Sequence, residues 1–139
     1  MRRLLYAVIF LIILFGCKKD DPEPVAEIKP LAGSWDLKAI EKINNGVATW
    51  ENVSVLDASY LTFRFDGVLM DSNGKPECCP PDLLVINGSK VHVKPLADMT
   101  NERCILADCN GCAAWNIQIN GSELILKTCN PSRLKYIRQ

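Results

Sequence analysis

Residues 113–128 read Ala-Ala-Trp-Asn-Ile-Gln-Ile-Asn-Gly-Ser-Glu-Leu-Ile-Leu-Lys-Thr, and this stretch decides the fold class. Apolar and polar residues alternate on both sides of Asn120-Gly121, a pair that is typical of tight β-hairpin turns. Alternation with a period of two indicates strands that bury one face of a sheet. The stretch therefore predicts an antiparallel hairpin with one apolar face.

The register of this hairpin follows from the length of its loop. A two-residue loop at Asn120-Gly121 opposes Ile117 to Leu124 and Trp115 to Leu126, so all four side chains share one face. The other face is mostly polar, as expected for a sheet with one buried side.

The same turn signal recurs along the chain at Asn45-Gly46, Asp66-Gly67 and Asn87-Gly88. A two-residue loop at Asp66-Gly67 places Phe63 and Phe65 together on an apolar face. For the first hairpin, at Asn45-Gly46, the same test leaves the register open. Eight or nine short strands joined by tight turns predict an all-β, antiparallel up-and-down meander. Because exposed sheet edges are a liability, we expect the meander to close into a small eight-stranded barrel.

Two short segments carry a family resemblance. Residues 31–37, Leu-Ala-Gly-Ser-Trp-Asp-Leu, resemble the G-x-W opening of lipocalins, and more closely that of the lipocalin-like domain of Bacteroidetes lipoproteins. Residues 61–67, Leu-Thr-Phe-Arg-Phe-Asp-Gly, resemble a hairpin of the same family. The resemblance covers most of residues 31–139. It implies that Gly33 and Trp35 open the first strand at the closed end of the barrel.

In that family a basic side chain from the last strand often covers the tryptophan. Arg133, Lys135 and Arg138 all match this description, and the sequence does not choose among them. Two departures stand out, because the cysteine-rich segment 77–112 is not part of the family pattern and Cys-Cys-Pro-Pro at 78–81 interrupts the middle strands.

The first sixteen residues predict a secretion signal. A basic start precedes an unbroken apolar run, residues 4–15. This run is too short for a membrane-spanning helix and has the length of the apolar part of a signal peptide. Residues 14–17, Leu-Phe-Gly-Cys, resemble the lipobox of bacterial lipoproteins. The resemblance implies that residues 1–16 are removed and that Cys17 is lipidated, with palmitate among the acyl chains.

Residues 17–30 are rich in proline and charge, which predicts an extended tether between the lipid and the folded domain. Lys18 beside the lipidated cysteine favours the outer membrane by resemblance. Residues 19–21, Lys-Asp-Asp, are similar to a surface-export signal but equally suit a solvated linker, so periplasmic and surface-facing placement both stay open.

Composition excludes several functional classes. The 139 residues carry 16 basic and 16 acidic side chains, a balance that argues against a nucleic-acid partner. The single histidine, His92, weighs against histidine-based hydrolases and histidine-rich metal sites. With no acid–base pair or activated nucleophile in view, we predict that the chain is not an enzyme and that it needs no cofactor or metal.

Besides Cys17, six cysteines remain, and outside the cytoplasm such residues form disulfides. The register assigned to the Asn120-Gly121 hairpin places Cys112 directly opposite Cys129, which predicts a bridge between them. Adjacent cysteines rarely bond to each other, so the four others are expected to pair across two segments, in an order that the sequence leaves open. These are Cys78 and Cys79 in one segment and Cys104 and Cys109 in the other.

The function expected from these features is that of a lipid-anchored protein whose barrel binds a small apolar ligand. Six residues are predicted to line its interior: Phe63, Phe65, Trp115, Ile117, Leu124 and Leu126. Two alternatives stay open. One is a non-catalytic interaction or inhibitor protein, with an envelope protein as partner, that acts through disulfide-tied loops at 73–82 and 96–111. The other is a thiol or metal sensor that uses the C-x-x-C of Cys109 and Cys112.

Overall fold

A computed structural model describes residues 25–139 of the chain. The predicted signal peptide and Cys17, the predicted site of lipidation, lie outside the described residues. Within residues 25–139, no helix is long and apolar enough to span a membrane.

The described part of the chain consists mainly of β-strands. Two short 3₁₀-helices, Val55–Asp57 and Glu102–Leu106, lie in the connections. The nine strands are β1 Gly33–Asn44, β2 Val47–Asn52, β3 Tyr60–Phe63, β4 Leu69–Met70, β5 Leu83–Ile86, β6 Ser89–His92, β7 Ala114–Asn120, β8 Glu123–Lys127 and β9 Leu134–Arg138.

Two of the predicted turns form as expected. Asn44 pairs with Val47 and Ile86 pairs with Ser89, so each loop holds two residues, Asn45-Gly46 and Asn87-Gly88. Both residues of each loop have positive φ. A type I′ hairpin turn requires this conformation, which asparagine and glycine tolerate best.

The strands form one curled mixed sheet, and the predicted closed antiparallel barrel is wrong. The strand order is β4-β3-β1-β9-β8-β7-β5-β6, with β2 paired to the far half of β1. Every neighbouring pair is antiparallel except β5 and β7, which run parallel. The physical reason is that β6 returns the chain to the start of β5, and the long segment 93–113 then carries it to the other edge of β5, where β7 pairs in parallel.

The sheet is a half-barrel with a gap between its two ends. β4 has only two residues, and its outer edge is bonded by the following segment, where Glu77 donates its backbone N–H to Leu69 at 2.8 Å. Prolines at 76, 80 and 81 have no N–H to donate to a neighbouring strand. The segment after β4 therefore does not form a further strand that could join β4 to β6 and close the sheet.

The β7–β8 hairpin forms with a shifted register. Asn120 pairs with Glu123, so the two-residue loop is Gly121-Ser122 instead of Asn120-Gly121. Ile117 therefore opposes Leu126 and not Leu124. Because the partner changes by two residues, the apolar face is preserved, and the prediction of which side chains point inward is unaffected.

The β3–β4 hairpin departs more seriously, since the predicted register is wrong by one residue. Phe63 pairs with Leu69, and the Arg64 backbone N–H donates to Val68 at 2.8 Å, which leaves the three-residue loop 65–67. Gly67 closes that loop at φ +87°, a pattern common in three-residue hairpin loops. Phe65 is consequently a loop residue with 44% of its surface exposed.

The core fills the concave side of the sheet. Ile28, which the sequence places in the tether, is 2% exposed and belongs to this core. The buried apolar residues of the core come from every strand except β2 and from the segment before β1: Ile28, Leu31, Trp35, Leu37, Phe63, Leu69, Leu84, Ile86, Val91, Ile117, Leu124, Leu126 and Tyr136.

The strand registers define two ends of the half-barrel. The turn end holds the start of β1, the end of β9 and the tight turns at 87–88 and 121–122. The loop end holds the connections 71–82 and 128–133 and the two ends of the connection 93–113, whose Leu96 reaches across to Asp66 of the β3–β4 loop at the turn end.

Candidate functional site

The gap in the half-barrel holds an apolar cleft of about 200 Å³. Its walls come from both sides of the gap, since Leu69 belongs to β4 and Leu84 to β5. Twelve residues line it: Phe63, Gly67, Val68, Leu69, Pro76, Pro80, Pro81, Asp82, Leu84, Val93, Pro95 and Met99.

Four prolines form part of this lining, and they give the cleft its chemical character. Proline fixes its own backbone angle and lacks an N–H group, so these positions offer rigid apolar surface without a hydrogen-bond donor. Of the described lining residues, Asp82 alone carries a charge, and its side chain is exposed. The cleft therefore suits an apolar group, with polar atoms placed only at its mouth.

A buried carboxylate ties the two sides of the gap together. Asp66, in the β3–β4 loop, accepts a hydrogen bond from the Leu96 backbone N–H at 3.1 Å and one from Arg64 Nε at 2.8 Å. The Arg64 guanidinium also contacts the sulfur of Met99. Burial alone opposes ionisation of Asp66, but the hydrogen bonds from Arg64, Leu96 and Val68 outweigh it and lower the pKa.

A second polar cluster fixes the same loops nearer the loop end. Asp71 accepts the backbone N–H groups of Asn73 and Lys75 at 2.8 and 2.9 Å, an arrangement that lowers the pKa of its carboxyl. Asn101 Nδ2 donates to the Pro76 carbonyl at 2.8 Å. The segment after β4 is thus bonded to the segment that leads into the second 3₁₀-helix.

Three disulfides brace these loops. Cys112 is bonded to Cys129, with 5.5 Å between their Cα atoms, as the sequence predicts. The register that gave this prediction is not the observed one, because Ile117 pairs with Leu126. The two cysteines lie beyond the ends of β7 and β8. Adjacent Cys78 and Cys79 pair with Cys104 and Cys109 respectively, which settles the order that the sequence left open.

The C-x-x-C of Cys109 and Cys112 does not act as a unit. The two sulfurs belong to different bridges, so the pair presents no dithiol in this oxidised form. Across residues 25–139, no group of three or more histidine, cysteine or acidic side chains is placed to hold a metal ion.

The six residues predicted to line the interior separate into three groups. Phe63 lines the cleft. Ile117, Leu124 and Leu126 are at most 2% exposed and, together with half-buried Trp115, are packed in the core away from the cleft lining. The expectation for Phe65 is wrong, because the three-residue loop turns it to solvent.

Several cleft residues were missed by the sequence interpretation. The sequence interpretation takes Pro80 and Pro81 as an interruption of the middle strands and does not single out Pro76 or Pro95, whereas in the structure all four form a wall. The signal that could have found most of them is the cluster of three prolines around Cys78 and Cys79.

The tryptophan of the G-x-W segment is covered by one of the three basic candidates. Arg138 Cζ lies 4.1 Å from the centroid of the Trp35 ring, and Trp35 is fully buried. The other two candidates, Arg133 and Lys135, lie over a different ring, that of Trp50, at 5.5 and 4.8 Å.

Comparison of the chain with protein-family models, curated protein sequences and solved structures gives no match. The lipocalin-like resemblance therefore stays a prediction carried by the quoted segments.

Proposed function

We propose that this chain is a lipid-anchored envelope protein whose β-domain binds a small apolar ligand in the cleft of its half-barrel. The observation that carries the proposal is the apolar cleft of about 200 Å³ between β4 and β5. A dry cavity of about 150 Å³ is large enough to bind benzene, whereas pockets for drug-sized ligands usually exceed about 300 Å³. The ligand is therefore about the size of one aromatic ring or a short branched chain.

The surroundings of the cleft explain how such a ligand would be held. Disulfides from Cys78 and Cys79 fix the proline-rich wall, and the Asp66 hydrogen bonds fix the opposite segment. A wall that is already rigid loses little conformational entropy when a ligand binds, which favours affinity for a small molecule. A polar substituent on the ligand would meet water and Asp82 at the mouth.

The proposed binding differs from that of a hollow barrel. Leu124 and Leu126 occupy the concave side of the sheet with at most 2% of their surface exposed. A long acyl chain or a haem would have to displace this core. We therefore expect ring-sized probes to bind more tightly than fatty acids.

The test is a titration of the chain with benzene, indole and isobutanol, followed by methyl resonances in NMR spectra. Leu69, Leu84, Val93 and Met99 report on the cleft, and Leu106, which is 94% exposed, is the reference. We expect saturable shifts confined to the cleft methyls. Saturation by none of the probes in a folded sample would contradict the proposal.

Matched variants separate binding in the cleft from binding elsewhere. Val93→Trp places a large ring in the cleft from a half-buried position and should abolish the shifts. Val47→Trp adds the same ring at a residue that is 63% exposed and does not line the cleft, so binding should be unchanged.

The anchor is supported by the basic start, the apolar run of residues 4–15 and the lipobox-like residues 14–17. Attachment of two or three acyl chains gives stable membrane association, whereas one chain is marginal. Metabolic labelling with a palmitate analogue should mark the chain, and Cys17→Ser should remove both the label and the membrane association. Labelling that persists in the Cys17→Ser variant would contradict lipidation at this residue.

A further inference from the structure

The chain enters the folded domain at the turn end of the half-barrel. The Ile28 backbone N–H donates to Val25 at 2.8 Å in a single helical turn, and Leu31, a few residues later, is fully buried. The Trp35 indole Nε1 donates to the Leu31 carbonyl at 2.8 Å, and Arg138 Nη1 donates to Ala32 at 2.7 Å. These contacts fix the position of Val25 relative to the sheet.

Exposed apolar side chains lie in the segments that meet at this end. The Ile28 side chain packs against Gly67, in the β3–β4 loop, and Asp66 of the same loop binds the Leu96 backbone. The exposed apolar residues of the three segments are Val25, Phe65 and Leu96, with 52%, 44% and 49% of their surfaces accessible.

The distance between this end and the proposed anchor is short. Cys17 precedes Val25 by eight residues in the sequence. At about 3.6 Å per residue, even a fully extended chain spans no more than about 29 Å. Val25 therefore stays within roughly one bilayer thickness of the membrane surface that holds the lipid.

We propose that the anchored domain docks on its own bilayer through the turn-end surface of Val25, Phe65 and Leu96, so that the second 3₁₀-helix and the disulfides at the loop end project away from the membrane. This inference rests on the proposed lipid anchor at Cys17. Aromatic and aliphatic side chains stabilise such contacts by burial at the boundary between headgroups and acyl chains. The anchor raises the local concentration of bilayer, so a small apolar surface is sufficient.

Charge contributes little to the proposed contact. Among residues 25–139, the exposed charges nearest these three residues in sequence balance, with Lys29 and Lys94 opposed by Glu27 and Asp98. We therefore expect docking on vesicles of zwitterionic phosphatidylcholine, with little dependence on salt, because neither headgroup charge nor screening favours one orientation.

The same orientation places the loop end on the side of the domain that faces away from the membrane. Ile105 and Leu106 of the second 3₁₀-helix are 79% and 94% exposed, and Cys104 beside them is bonded to Cys78. In the proposed orientation these residues point away from the bilayer.

The experiment uses the full lipidated protein in phosphatidylcholine nanodiscs that contain a gadolinium-chelating lipid. Paramagnetic broadening falls steeply with distance, so the methyl groups of Val25 and Leu96 should broaden several-fold more than those of Ile105 and Leu106. Equal broadening at both ends, or stronger broadening at Leu106, would overturn the inference.

Two variants and one measurement separate the possible outcomes. Phe65→Asp combined with Leu96→Asp should reduce the difference in broadening between the two ends, whereas Ile105→Asp combined with Leu106→Asp should leave it unchanged. The intact mass of the same sample shows whether Cys17 carries lipid. Lipidated protein without preferred orientation overturns only the docking, whereas protein without lipid contradicts the proposed anchor as well.

Discussion

Arg138 lies over the ring of Trp35, with 4.1 Å between Cζ and the ring centroid, and this contact joins the last strand to the first. The same guanidinium donates to the carbonyl of Ala32 at 2.7 Å and to that of Pro30. One side chain therefore covers the most buried aromatic ring and holds the segment that leads into β1. A cation over a desolvated ring contributes about 2 kcal/mol.

Arg138→Ala should lower the free energy of unfolding by about 4 kcal/mol, because it removes the ring contact together with two hydrogen bonds worth about 1 kcal/mol each. Urea unfolding followed by tryptophan fluorescence measures the change. The control is Lys42→Ala, which removes only an exposed pair with Glu51 at 3.8 Å. This control should change stability by less than about 1 kcal/mol.

Gly33→Ala should be destabilising through the same contact. Gly33 has φ +118°, and a Cβ atom there would approach Arg138 Nη1 to 3.0 Å. An L-residue in such a conformation costs about 1–3 kcal/mol. Because the two residues touch, the losses in Gly33→Ala and Arg138→Ala should not add in the double variant. If the two losses in free energy of unfolding simply add in the double variant, the contact between residue 33 and Arg138 does not contribute to the effect of Gly33→Ala.

Phe63 and Phe65 test the loop length of the β3–β4 hairpin. Phe63 is 2% exposed, whereas Phe65 is 44% exposed. Phe63→Ala should therefore cost about 3–5 kcal/mol, and Phe65→Ala should cost less than about 1 kcal/mol. Both are measured by urea unfolding. Similar large losses in the two variants would restore the two-residue loop that the sequence indicates.

The β7–β8 and β3–β4 hairpins show how far the sequence predicts the fold. Alternation placed Ile117, Leu124 and Leu126 inside correctly, because a shift of two residues leaves the faces of a strand unchanged. The one-residue error at Asp66-Gly67 moved Phe65 to the wrong side. Asp-Gly suits both two- and three-residue loops, so local turn chemistry could not decide the register.

Closure of the sheet was beyond local reasoning for a different reason. Whether β6 meets β4 depends on where the segment 93–113 crosses, and this is set by contacts that are distant in sequence. The hydrogen bond from the Leu96 backbone to Asp66 and the disulfides of Cys78 and Cys79 are such contacts. These contacts hold the segments that form the cleft, and because they are distant in sequence, local patterns predicted an interior site instead.

Acid should weaken the fold partly through Glu41. This residue is 4% exposed, and hydrogen bonds from Arg133 lower the pKa of its carboxyl from the usual 4.5. A carboxyl with a lowered pKa in the folded state stabilises the fold above its unfolded pKa, and that stabilisation is lost as pH falls through the folded value. Glu41→Gln should therefore differ most from the parent chain near neutral pH and converge with it below pH 4.5.

Urea midpoints measured from neutral pH down to strongly acidic pH follow this convergence. Glu51→Gln is the control, since the Glu51 side chain is 67% exposed and its pair with Lys42 is long, and it should track the parent chain at every pH. A constant difference between Glu41→Gln and the parent chain across the range would mean that ionisation of Glu41 does not contribute to stability.

The Cys112–Cys129 bridge should contribute stability without shaping the core. It closes the β7–β8 hairpin across a sequence separation of 17. In the chain-entropy model a loop of this length stabilises the fold by about 3 kcal/mol. Replacing both cysteines with serine should lower the melting temperature while the β-sheet circular dichroism of the folded state is retained. Ile117 and Leu126, which pair within the hairpin, should stay buried without the bridge. An unchanged melting temperature would contradict this contribution of the bridge.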